Sequence, residues 1–241
     1  MNTVKERPVL FGSEMVRAIL REDEPKTQTR QLVKLRKGCT ISNISDSNGV
    51  IEYIICGEDG DEIPLEFACP YGKVGDRLWV KETFQTFRKD TTEEARNKFI
   101  AGLHIKSMKD MIEWGRLPGG HGALAVLYAA DFGAWAYDID SDLFPWQPAI
   151  FMPRKHSRIL LEITNIRIQR IQDITDEEAM AEGCPSERAL DIDGKTILYS
   201  GFKPTYWFKE LWDSIYAERG HGWDKNDWVW VIEFRRVEAK Q

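Results

Sequence analysis

The chain has no surplus of positive charge: 33 Lys and Arg stand against 39 Asp and Glu, a net charge of −6 over 241 residues. Proteins that coat long nucleic acids displace counterions with broad basic surfaces, so this balance argues against that class. It leaves room for a pocket that reads one nucleotide. Cysteine is scarce, and Cys39, Cys56, Cys69 and Cys184 include no pair at metal-ligand spacing. Met1 to Arg7 are polar and carry no apolar stretch of signal-peptide length. Reduced thiols in a cytoplasmic protein are therefore expected. Long apolar runs are also missing. The longest, Ala123–Ala130, has eight residues, whereas a membrane-spanning helix needs about 20.

Several chemistries lack their signatures. His104, His121, His156 and His221 are scattered without ligand spacing, and there is neither a phosphate-loop lysine motif nor a dinucleotide glycine fingerprint. Asp138-Ile-Asp140-Ser-Asp142 opens like a calcium loop, but Leu143 stands at the sixth position where Gly is needed, and Ala149 at the twelfth in place of Glu. No metal and no cofactor are expected. Internal repeats and low-complexity linkers are absent.

What remains is an ordinary soluble composition, 42% hydrophobic and 30% charged. Ser13 to Arg21 reads as a helix, with Met15, Val16, Ile19 and Leu20 on one side, ended by Pro25. A basic stretch runs from Lys26 to Lys37. Residues 40–67 read as short strands, with Asn48-Gly49 and Asp59-Gly60 as hairpin signals. Arg77–Phe84, Leu124–Ala130, Ile159–Ile168 and Trp228–Arg235 are strand candidates, the last apolar on both faces and so central in its sheet. Thr175 and Glu178 form a capping box for a helix ending near Gly183, with Ile174 and Ala179 as its staple. Thr205 to Ala217 places Phe208, Leu211, Trp212 and Ile215 at helical spacing. Short strands and isolated helices predict an α+β fold around a mixed, barrel-like sheet, one domain over 1–241 with an insertion at 88–123.

Three features could carry chemistry. In Lys26-Thr27-Gln28-Thr29-Arg30, an amine close to a threonine hydroxyl lowers the cost of removing its proton, as an oxygen nucleophile requires. An arginine there can clamp a phosphate or a base edge. A solvated basic turn is the plain alternative. Glu182 falls at the negative end of its helix, where a carboxylate is disfavoured and a general acid or base is useful; a frayed, exposed glutamate is the other reading. Trp146-Gln-Pro-Ala-Ile-Phe-Met-Pro-Arg154 sets an aromatic and an arginine in a proline-stiffened loop, suited to stacking on a nucleobase, unless Trp146 only covers the edge of the core.

Lys26-Thr-Gln-Thr-Arg30, Cys69-Pro-Tyr-Gly72, Gly75-Asp-Arg-Leu-Trp-Val-Lys-Glu-Thr83, Met152-Pro-Arg154, Ile171–Gly183 and Trp212…Trp230-Val-Ile-Glu-Phe-Arg235 together resemble ASCH-domain proteins, in particular a phage and prophage branch. The resemblance covers roughly residues 7–87 and 124–238. It implies a PUA-like β-barrel that holds RNA or a modified nucleoside in a cleft. The family's amidohydrolases remove the acetyl group of 4-acetylcytidine with a Lys, a Thr three residues later and a Glu from a later helix. Those roles fall on Lys26, Thr29 and Glu182, with Arg30, Glu82, Trp146 and Arg154 as substrate-binding residues. The chain departs from the family in Asp23-Glu24-Pro25, where a glycine is usual, and in Arg30-Gln31, where a basic pair is usual. A non-catalytic RNA- or nucleotide-binding module and a ribonuclease are the alternative functions; the expected partner in each is RNA or a nucleoside, with no membrane.

Overall fold

The computed structural model describes residues 4–35, 37–45, 51–64, 68–87, 125–132, 146–185, 188–190, 196–198 and 203–238. The expected insertion at 88–123, the Asn48-Gly49 turn and the Asp138–Asp142 segment lie outside the described residues. In chain order the elements are β1 (Glu6–Leu10), α1 (Ser13–Leu20), β2 (Gln28–Leu32), β3 (Thr40–Ser45), β4 (Ile51–Cys56), β5 (Glu62–Ile63), β6 (Arg77–Lys81), β7 (Phe84–Phe87) and β8 (Ala125–Tyr128). They continue with β9 (Leu160–Arg170), α2 (Asp176–Ala181), β10 (Arg188–Leu190), β11 (Thr196–Leu198), α3 (Pro204–Tyr216) and β12 (Trp228–Val237). The combination of helices with a mixed sheet is α+β.

The chain forms two compact units, one of Met1–Arg7, Ala18–Trp79 and Ile159–Gln241, the other of Pro8–Arg17 and Val80–Arg158. The five-stranded sheet is ordered β1-β6-β9-β12-β2; its strands β9, β12 and β2 and the first residues of β1 and β6 belong to the first unit. As its two-sided apolar pattern predicts, β12 is internal, pairing antiparallel with both β9 and β2. β3, β4 and β5 form a separate antiparallel sheet, and β10 pairs with β11.

Strand alternation divides the side chains of this sheet between two faces. Val231 lies opposite both Arg30 and Arg167, which puts Arg30 and Arg167 on one face with Gln28, Val229 and Gln169. Ile232 lies opposite Thr29 and Ile166, so Thr29 shares the other face with Trp230 and Ile168. Helices α2 and α3 cover the Arg30 face: Ala179, Phe208 and Trp212 pack with Val229, Val231, Ile171 and Ile174 in one buried cluster. Burial of each such large side chain is worth about 1.5–3 kcal/mol. The α3 stripe read from the sequence is present, with Phe208 and Trp212 buried and Leu211 and Ile215 partly so.

α2 is short but well delimited. Thr175 Oγ1 accepts from the Glu178 amide, and the Glu178 carboxylate accepts from the Thr175 amide, the reciprocal pattern expected from the sequence. At its far end Gly183 takes φ +97°, and a Cβ there would sit 2.8 Å from the Ala18 Cβ and 3.2 Å from the Lys26 Cβ. Glycine is what lets this helix end approach the α1–β2 turn. Arg21 closes the end by donating to the Gly183 and Cys184 carbonyls at 3.3 and 3.5 Å.

In the second unit, β7 and β8 pair antiparallel, and Phe84 bridges to Gln147. The strand expected over Arg77–Phe84 is interrupted at Glu82-Thr83, and that expected over Leu124–Ala130 ends at Tyr128 in a 3-10 turn. Among the described residues no helix is long and apolar enough to cross a membrane.

Candidate functional site

The turn between α1 and β2 is held by backbone bonds on both sides. The Lys26 amide donates to Ala18 O (3.0 Å), the Thr27 amide to Ala181 O (2.9 Å), and Thr27 O accepts from the Phe234 amide (2.8 Å). These bonds bring Lys26 against the C-terminus of α2. There its Nζ donates to the Glu182 backbone oxygen and to Glu182 Oε2, each at 2.7 Å. Arg30 Nη1 donates to the other carboxylate oxygen, Oε1, at 3.0 Å, and Arg30 Nη2 to Glu178 Oε2 at 2.8 Å. The Lys26 and Arg30 side chains are 0% exposed and that of Glu182 only 3%.

The reading of Lys26–Arg30 as a solvated basic turn is therefore overturned at its two cations, Lys26 and Arg30. Both are buried because carboxylates from α2 meet them. An unpaired charge at such depth would cost several kcal/mol. Glu182 likewise is no frayed, exposed residue: it caps α2 with αR backbone angles and both its oxygens are engaged. The two cations also answer the negative end of the helix, which explains how an acid is tolerated there.

The network extends beyond the residues read from sequence. Glu178, legible only as half of a capping box, also receives Arg167, which in turn pairs with Glu233. Three cations, Lys26, Arg30 and Arg167, thus face three carboxylates, Glu178, Glu182 and Glu233. Arg30 also lies 5.5 Å from the centre of the Phe208 ring, and its Nε is buried without a hydrogen-bond partner. Arg167 and Glu233 carry no local signal of a site, since each is one polar residue within a strand and acquires meaning only through its register.

Burial shapes the electrostatics. Desolvation lowers the Lys26 pKa from the ordinary lysine value, outweighing the opposing pull of Glu182; Arg30 adds to the lowering. At Glu178, burial favours the neutral acid, but Arg30, the Thr175 amide and Arg167 together overcome it and lower the pKa. Two tyrosines border the same region. Burial raises Tyr216, Arg219 opposes that, and the negative charge of Glu182 adds to it. Tyr71, whose hydroxyl donates to Gln31 Oε1 at 3.3 Å, is pushed up to about 12 by burial, with Tyr216 and Cys69 contributing.

The expected triad is brought together in part. Lys26 and Glu182 meet, although 156 positions separate them. Thr29 is buried on β2, but alternation turns its side chain to the sheet face opposite Arg30 and Gln28. Glu82, Trp146 and Arg154 belong to the second unit. There Glu82, 1% exposed, receives Arg158 Nε and Nη2 at 3.0 Å each, and Asp131 holds the same guanidinium at 2.7 and 2.9 Å. Burial raises the Glu82 pKa against the opposing Arg158, and Asp131 adds to the rise. Arg158 also lies 4.0 Å over the Tyr128 ring. Trp146 is half-buried, as is Arg154.

The four cysteines are free thiols, and no group of three or more His, Cys, Asp or Glu is placed to hold a metal among the described residues. Comparison with protein-family models, with curated proteins and with solved structures returns no match.

Proposed function

We propose that this chain recognises RNA or a modified nucleoside, and that Lys26 and Glu182 form the acid–base pair of an amidohydrolase acting on an acylated exocyclic amine such as that of 4-acetylcytidine. The resemblance to ASCH-domain proteins suggests the substrate class and a PUA-like barrel for the five-stranded sheet. The observation that supports the chemistry is the 2.7 Å contact between Lys26 Nζ and Glu182 Oε2, at a lysine whose pKa is lowered by burial. A neutral amine at that position can accept a proton from an attacking oxygen, and the neighbouring carboxyl can return one to the leaving amine.

The balanced reaction is short. Lys26 first passes a proton to the Glu182 carboxylate across their contact; the oxygen nucleophile then gives its own proton to the neutral amine and adds to the acyl carbon. The C–N bond then breaks as Glu182 protonates the departing nitrogen. With water as nucleophile the products are acetate and cytidine. With Thr29 an acyl ester forms first, and water must release it. Because Thr29 lies on the other face of β2, water is the simpler nucleophile, and Thr29→Ala separates the routes. Arg30 is placed to oppose negative charge on the tetrahedral oxygen. Lys26 is fully covered, so substrate must displace that cover before the pair can act.

A second reading has its own observation. Both Glu182 oxygens are already engaged by Lys26 and Arg30, the pattern of a structural ion cluster supporting a non-catalytic recognition module. Incubation with a panel of acylated nucleosides, read by mass spectrometry, decides between them. Loss of the acetyl mass by the wild type and not by Glu182→Gln supports the enzyme. Binding without mass loss supports the module.

A further inference from the structure

The loop that the sequence marks for base stacking offers a different aromatic from the expected one. Trp146 is half-buried, whereas Phe151 is 70% exposed and Ile150 beside it 60%. Large apolar side chains displayed together at a loop tip call for a reason, since solvation of each is unfavourable. The tip is also stiff. Pro148 and Pro153 open two successive 3-10 turns, 149–151 and 154–156. Four backbone bonds close them: Phe151 to Pro148, Met152 to Ala149, His156 to Pro153 and Ser157 to Arg154, each at 3.0 Å. Met152 between the turns is 1% exposed and anchors the loop, and Lys81 donates to the Ile150 carbonyl. The display of Phe151 is thus built into the backbone.

The charge of this segment is as distinctive as its shape. No acidic residue occurs from Trp146 to Leu161, in a chain whose net charge is −6. Lys155 is exposed in the second turn and follows the half-buried Arg154. The remaining arginine of the run, Arg158, is neutralised by Glu82 and Asp131. An exposed aromatic on a stiff loop with a lysine four positions on matches one kind of partner: a base to stack and a phosphate to neutralise. Two apolar side chains and few cations make a poor membrane anchor, which needs a larger apolar face or a polybasic cluster.

We infer that the 146–156 loop is a contact site for single-stranded RNA, with a base stacked on Phe151 and the backbone phosphate met by Lys155. This deepens the recognition reading above and rests on it. The test is fluorescence anisotropy of a labelled oligoadenylate RNA, titrated with the full chain at several salt concentrations. Phe151→Ala is expected to weaken binding by about fivefold to a hundredfold, while Phe151→Trp retains it, from the usual worth of one stacked base. Lys155→Gln is expected to reduce the salt slope by about 0.7, the value for one phosphate contact on a single strand. Both positions are exposed, so the variants should melt like the wild type.

RNA binding by the wild type that Phe151→Ala leaves unchanged would overturn the inference and spare the broader reading. No binding of the oligonucleotide by wild type would also overturn it; persistent acetylcytidine hydrolysis in that case would leave the amidohydrolase standing. Sedimentation with phosphatidylserine vesicles that Phe151→Ala abolishes, without RNA binding, would assign the tip to a membrane and reject RNA.

Discussion

Lys26 is held by contacts distributed across the sequence: the Ala18 carbonyl receives its amide, and Glu182 receives its amine. A buried lysine paired with a carboxylate stabilises little in net terms, yet removing it leaves Glu182 Oε2 unpaired in a desolvated place, with Arg30 holding only the other oxygen. Lys26→Met should therefore lower stability by about 3–5 kcal/mol, measured as a fall in the urea midpoint at neutral pH. A change below about 1 kcal/mol would mean that water reaches the pair. Residue identity alone did not reveal this. A lysine among Thr, Gln and Arg looks solvated, and its partners Glu182 and Arg30 become visible only after the fold closes. Glu182 could be selected in advance because it broke a local rule, an acid at a helix C-terminus, and the structure supplies the two cations that make the placement tolerable.

At the scale of elements, α2 was legible and β2 was not. The capping box at Thr175 and Glu178 and the glycine stop at Gly183 are local signals, so α2 follows from a few neighbouring residues. β2 reads Gln-Thr-Arg-Gln-Leu and lacks the apolar alternation that marks a strand; pairing with β12 and ion pairs to α2 define it instead. The junction of the two elements depends on Gly183. Any side chain there meets both a positive φ and Ala18. Gly183→Ala should cost about 1–3 kcal/mol and move Glu182 away from Lys26. The readout is the thermal midpoint together with the pH titration of Lys26, which should move further below the ordinary lysine value as the opposing pull of Glu182 weakens. A variant as stable as wild type would show that the helix end tolerates displacement.

For the whole molecule, net acidity says little about where charge is used. The cations closest to the candidate chemistry are internal and balanced, whereas the acid-free 146–161 segment faces outward at Phe151 and Lys155. Titration of the internal groups sets how stability varies with pH. Glu178 has a lowered pKa when folded, as does Asp76, whose burial is outweighed by bonds from the Lys5 amide, Arg7 and the Lys73 amide. Their stabilisation is present above their ordinary values of 4.5 and 3.8 and is lost as pH falls through the folded ones. Glu82, raised in the folded state, works in the opposite sense and softens the acid limb. Lys26 is lowered, so between its folded pKa and 10.5 the unfolded chain binds more protons and stability rises with pH. Chemical denaturation across pH should show an acid limb flattened by Glu178→Gln and an alkaline rise removed by Lys26→Met. An unchanged profile in both variants would contradict the assignment of these groups.

The central claim is that Lys26 and Glu182 act together on an acylated base. Its most direct test is mass spectrometry of 4-acetylcytidine incubated with the wild type, Glu182→Gln and Thr29→Ala, each verified as folded by its melting curve. The expected result is conversion to cytidine by the wild type, a loss of at least about a hundredfold in Glu182→Gln from removal of the general acid, and retained turnover in Thr29→Ala if water is the nucleophile. Wild-type turnover that survives Glu182→Gln undiminished would contradict the account.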